Sequence, residues 1–169
     1  MTAYLLLRAI RRFLEQQVAG YAAASGTAGE LLTPSVFDWD LPFPDPLQPE
    51  NFTNPYICVR PVKGLDREDA VPPDVPDALS STVEMEMIFG MYRGGTAASE
   101  PVSAYGYDLL NLMEQVRASL LQQRIVEGKF AIEKPYQWEI SQEQPSEYWI
   151  GRAKSIWTVQ SVIPVWEEV

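Results

Sequence analysis

Two periods organise the apolar positions of this chain. Near its start, AYLLLRAIRRFLEQQVAGY sets Leu6, Ile10, Phe13 and Leu14 in one stripe at helical spacing. Leu7 and Val18 lie at the edge of that stripe, and Arg8, Arg11, Arg12 and Glu15 populate the opposite side. Gly20 is a stop signal. The pattern predicts an N-terminal amphipathic surface helix with a solvated, arginine-rich face. The same spacing returns in YGYDLLNLMEQVRASLLQQR, residues 105–124, through Leu109, Leu112, Met113, Val116 and Leu120. Between these helices STVEMEMIFGMYR, residues 81–93, alternates with period two. Val83, Met85, Met87, Phe89 and Met91 face one way, and Glu84, Glu86, Ile88, Gly90 and Tyr92 the other, as a half-buried strand requires.

The closing run SEYWIGRAKSIWTVQSVIPVWEEV alternates too. Trp149, Gly151, Ala153, Ser155, Trp157 and Val159 share one face; Tyr148, Ile150, Arg152, Lys154, Ile156 and Thr158 share the other. Aromatic and cationic side chains are therefore segregated rather than interleaved, unlike a base-stacking platform. The tryptophan face is expected inward, against the 105–124 helix, leaving Arg152 and Lys154 for a neighbour or for Glu84 and Glu86 on a paired strand. PYICVRPV, 55–62, reads as a short strand, KGLDREDAVPPDVPDAL, 63–79, as a polar loop, GGTAASEP, 94–101, as a turn, and FAIEKPYQWEI, 130–140, as two short strands about Lys134-Pro135.

Ten of the fourteen prolines fall between 33 and 76, where neither a helix nor a central strand can run through such spacing. Residues 33–54 are expected to form a long extended loop, or arm, anchored by Val36, Phe37, Trp39, Leu41 and Phe43. That is too many large apolar groups for a disordered linker, and an ordered loop of this length is usually functional, here as an arm reaching onto a neighbouring subunit. The element order predicts a single α+β domain over 1–169, with a mostly antiparallel sheet and the 105–124 helix on its inner face.

Charge changes the picture next. A net charge of −10 argues against a nucleic-acid binder held by a broad basic patch, while leaving open a surface that DNA slides past. There is no histidine, so no His-dependent triad and no imidazole metal ligand; Cys58 is the single cysteine, so there is no intrachain disulfide. Leu5 to Leu7 is too short an apolar run for a signal peptide, and the protein is expected to be cytosolic when made. Glu84 and Glu86 have the spacing of an acid–base pair but read as alternate residues on the wet face of a strand. Asp38, Asp40 and Asp45 lack the glycine turn and terminal glutamate of a calcium loop. No catalytic constellation, metal site or cofactor site is expected.

Residues 105–159 combine a DLLNLMEQVRxxLLxxR helix, an xPYxWEI strand and a QPxxYWIGRxxxxW closing strand. This combination resembles small structural proteins of the head–tail modules of long-tailed bacteriophages and prophages, most of all the tail-terminator or tail-completion group. The resemblance implies a non-enzymatic virion subunit, assembled in the bacterial host cytoplasm. Six copies would close into a ring that caps the tail tube, stops its polymerisation and docks the head-side connector, with DNA passing through the lumen without sequence-specific binding. A ring needs two different complementary patches per subunit. The candidates are Arg8, Arg11 and Arg12 on the first helix, Phe37, Trp39 and Phe43 on the arm, and Glu84, Glu86, Arg152 and Lys154 on the strands. The alternatives are another connector, stopper or neck protein of the same module, or a soluble protein-binding module outside viruses.

Overall fold

The computed structural model describes residues 2–21, 23–24, 31–39, 55–67, 78–92, 103–144 and 148–162. They form an α+β fold: α1 (Thr2–Val18), β1 (Ala23–Ala24), β2 (Leu31–Leu32), β3 (Ser35–Asp38), β4 (Tyr56–Arg67), β5 (Ala78–Tyr92), α2 (Ser103–Gln123), β6 (Ile125–Val126), β7 (Phe130–Ile140) and β8 (Tyr148–Val162). β1 and β2 pair as a small antiparallel ribbon. The other six strands form one sheet in the order β3-β4-β5-β8-β7-β6, antiparallel throughout except for β3 on β4. The last strand is thus an interior one. β5 and β7 run parallel with β8 inserted between them, and such a crossover needs a connection as long as α2.

Both helices lie on one face of the sheet, α2 over β5 and β8, α1 over β3 and β4. The alternation predicted for β5 sends Val83, Met85, Met87, Phe89 and Met91 into the core, where they meet Leu109, Leu112, Met113, Val116 and Leu120 of α2 and Trp157 and Val159 of β8. Each fully buried large aliphatic or aromatic side chain contributes about 1.5–3 kcal/mol, against at most about 1 kcal/mol for an exposed ion pair. The sheet–helix core therefore holds the fold, and the surface charges are available for other work. In α1 the buried stripe is wider than the sequence spacing suggests: Leu7, Ala9 and Val18 are as deep as Leu6, Ile10 and Leu14, and Phe13 is only partly covered.

Two glycines permit close approach at the centre of the sheet. The Tyr56 ring lies directly over Gly90, its cross-strand partner, on the face away from the helices. Met113 of α2 occupies the space a side chain at Gly151 would need, and Trp149 packs beside Gly106. A β-carbon at Gly90 or Gly151 would drive an aromatic ring or a packed thioether out of place.

The structure corrects three sequence expectations. Residues 35–38, assigned to the start of a loop, form a strand paired in parallel with 56–59, because Pro34 precedes the strand rather than interrupting it. β4 does not stop at 62 but runs to Arg67, absorbing Pro61 and Val62 in a bulge opposite Met85 and Glu84. Residues 130–140 are one strand, not two; the Lys134-Pro135 bond is cis, and the register with β8 shifts between Glu133 and Gln137. Most of the predicted proline-rich arm, including Leu41 and Phe43, lies outside the described residues.

Candidate assembly surfaces

β4 changes character halfway along. Tyr56, Ile57, Cys58 and Val59 are buried, bonded to β5 on one side and β3 on the other. From Arg60 onward the strand keeps its pairing with β5, but β3 has ended and, among the described residues, nothing pairs with its other edge. Residues 60–67 are exposed or half-exposed, including Val62 at 50% and Leu65 at 42%. The strand is held in place without being covered.

The sheet face away from the helices carries the charges predicted for β5 and β8, together with others the sequence reading missed. Glu86, expected on a wet face, is buried. Its carboxylate accepts hydrogen bonds from Nη2 and Nε of Arg60, at 2.6 and 2.7 Å. Register explains the pairing, since Arg60, Glu86 and Lys154 lie opposite one another across three strands. Lys154 itself reaches Glu84, at 3.5 Å. Arg152 is exposed opposite Glu139 and makes no ion pair among the described residues. Thr158 donates to Glu133 at 2.8 Å. Beyond the bulge, Lys63, Leu65 and Arg67 turn onto this same face beside Glu84 and Thr82.

The arginines of α1 are largely engaged within the chain. Arg11 bonds Glu15 and Asp38, both at 3.0 Å, which ties α1 to β3 and raises the guanidinium pKa, the Glu15 bond contributing most. Arg12 bonds Glu127 at 3.0 Å, and Arg8 stacks 5.7 Å from the centre of the Tyr4 ring. Phe37 is half-buried in β3. Trp39 follows it with φ of +70° and its side chain 56% exposed, where the chain leaves the sheet. Of the predicted interface groups, then, Glu84, Glu86 and Lys154 come together on one face with Arg152 beside them. The α1 arginines and Trp39 lie elsewhere, and Phe43 falls outside the described residues.

Sequence reasoning also missed an apolar patch at the other side of the sheet. Trp138 of β7, 54% exposed, stands beside Leu110 of α2 near Met113, with exposed Tyr107 further toward the start of the helix. The xPYxWEI motif marked this strand, but nothing in its local sequence assigned Trp138 to a face. Tyr136, two residues away, has its phenol pKa raised above the usual range, chiefly by burial. Of the aspartates weighed as cation ligands only Asp38 is described, and Arg11 holds it. No group of three or more Cys, Asp or Glu side chains able to hold a metal ion occurs among the described residues. No helix there is long and apolar enough to cross a membrane.

No family model and no curated protein sequence matches the chain. Among solved structures it is similar to the sheath/tube terminator of the PVC extracellular contractile injection system, seen by cryo-EM in its extended state. The TM-score is 0.45 at 11% identity, over 96% of this chain and 61% of that one. The chain spans about 61% of the length of that structure's chain.

Proposed function

We propose that this chain is a structural subunit of a tail-like particle, a tail terminator whose copies close into a ring on the end of the tail tube. The ring, six-membered as the sequence resemblance implies, would stop tube polymerisation and present a docking surface to the head-side connector, with DNA crossing its lumen. The observation that supports this most directly is the outer half of β4, residues 60–67. A strand held in the sheet whose side chains from Val62 to Arg67 stay exposed is a surface built for a partner. The motifs of the 105–159 run supply the kind of partner. The rest of the predicted arm, 40–54, and the charged face of the sheet would serve as the two patches a head-to-tail ring requires.

Two measurements test the reading. The purified chain should form a particle several times the 19.1 kDa subunit mass, visible as a ring by electron microscopy. Loss of the protein during particle assembly should leave overlong or headless tails; finished tails of normal length would sink the terminator role.

A further inference from the structure

Among the described residues, the two long stretches of strand that outrun their shorter outer neighbours are blunted against strand addition. Residues 60–67 contain Pro61 and the charges Arg60, Lys63, Asp66 and Arg67. Residues 133–140, beyond the short β6, contain Pro135 with Glu133, Lys134 and Glu139. Proline and alternating charge on an edge discourage backbone pairing with another chain. Docking is therefore better placed on the face of the sheet than along its edges.

That face holds a groove of about 320 Å³ crossing β4, β5, β8 and β7. Lys63, Arg67 and Lys134 line it, with Leu65 as an apolar wall and Glu84 and Glu133 between them. The three cations are exposed and make no ion pair among the described residues, whereas Glu84 is paired with Lys154 and Glu133 accepts a hydrogen bond from Thr158. The groove thus presents unmatched positive charge beside an exposed leucine, in a chain of net charge −10.

The matching negative charge belongs to the same sequence. Twelve of the 23 acidic residues lie outside the described residues, with a single cation, Arg93, among them. That leaves eleven acidic residues against twelve cations in the described fold. Half of those cations, Arg60, Lys63, Arg67, Lys134, Arg152 and Lys154, stand on or beside this one face.

We propose that the groove receives an acidic surface of a second copy of this chain. The proposal rests on the self-association inferred above and names the patch that carries it. The contact is head-to-tail, a cationic groove against a different, acidic patch, which is the arrangement that lets a rotation close a ring. Charge complementarity of this kind fixes register and speeds encounter, and Leu65 adds apolar area at its rim. Duplex DNA would offer phosphates to the same cations, and the test below separates the two occupants.

The test is sedimentation of the full chain across a NaCl series, beside Lys63→Glu/Arg67→Glu/Lys134→Glu, its neutral counterpart with Gln at the same three positions, and a Lys129→Glu control elsewhere on the surface. Self-association of the parent chain should weaken at least about tenfold on going to about 0.5 M NaCl. The reversed variant should show a similar loss at low salt, the neutral variant a smaller one, and the control none. Circular dichroism checks that each variant stays folded, and the neutral variant carries the test if the reversed one does not. Rings that form equally well from both groove variants overturn the groove and leave the ring standing. A parent chain that stays monomeric at every concentration overturns the self-association on which the proposal rests. Binding of a duplex DNA fragment that the groove variants abolish, with self-association unchanged, overturns it in favour of nucleic acid.

Discussion

β4 is one strand with two fates. Residues 56–59 and 60–67 share the same partner, β5, and the same antiparallel bonding, yet the first stretch is sealed and the second is bare. What differs is company on the other side. β3 covers the edge of 56–59 and ends opposite Val59, α1 packs against the strand, and Tyr56 closes over Gly90. Hydrogen bonding alone therefore does not mark a core strand. The sealed half stabilises the subunit through apolar area removed from water, and the bare half has its geometry set by the ladder but keeps its side chains for a partner.

Breaking the sealed part should cost most. Trp157→Ala removes the largest fully buried side chain and should destabilise the fold by about 4 kcal/mol, read by urea unfolding. Next comes the boundary between the halves. Arg60→Ala strands the buried Glu86 carboxylate and should cost about 2 kcal/mol, whereas Lys154→Ala, which frees the better-solvated Glu84, should cost less than about 1 kcal/mol. Equal losses would mean that burial of Glu86 plays no part.

Alkaline titration gives a smaller effect that also separates the two halves. Burial, with Tyr148 adding to it, pushes the Tyr56 phenol from 10.0 to about 12, and burial with Asp108 does the same at Tyr21. A folded-state pKa raised above the unfolded one means that the folded chain keeps protons the unfolded chain releases. That stability is whole below pH 10 and is lost as pH rises from there through about 12. Tyr56→Phe should flatten the alkaline fall in unfolding midpoint; an unchanged profile would rule Tyr56 out as its source. Smallest of all, Leu65→Ser on the bare half should change subunit stability by no more than about 0.5 kcal/mol. The same substitution should measurably weaken self-association in sedimentation, and a large stability loss instead would show that the outer half belongs to the core.

The contrast between the halves also shows what the sequence could disclose. The β5 alternation, the two helices and the segregated faces of β8 were legible because one period persists over many residues and one face is uniformly apolar. Residues 63–67 were not legible as strand. KGLDR has no apolar face to alternate, and it pairs with 80–84 only after the bulge at Pro61 and Val62 shifts it by one residue from the register set at Tyr56 and Gly90. SVFD at 35–38 was masked by the prolines around it, and its partner lies some twenty residues onward. β7 was split because Lys134-Pro135 reads locally as a break, although β8 holds both sides of it. On the charged face, the sequence offered Glu84, Glu86, Arg152 and Lys154 as a group. The partner that buries Glu86, Arg60, comes from a third strand, and only the strand order reveals it.

The parallel pairing of β3 on β4 has a consequence for chain cleavage. A single cut anywhere from 40 to 54 would separate α1 and β3 from α2 and the remaining strands of the sheet. The smaller piece would still carry Leu6, Leu7, Ile10, Leu14 and Val36, all core residues, with the β3 edge and Arg12 to align them on β4 and Glu127. Neither piece can bury its apolar face without the other. The two should therefore find each other in solution, and the protein should behave as a fragment-complementation pair, its N-terminal fragment acting as a detachable ligand for its own sheet.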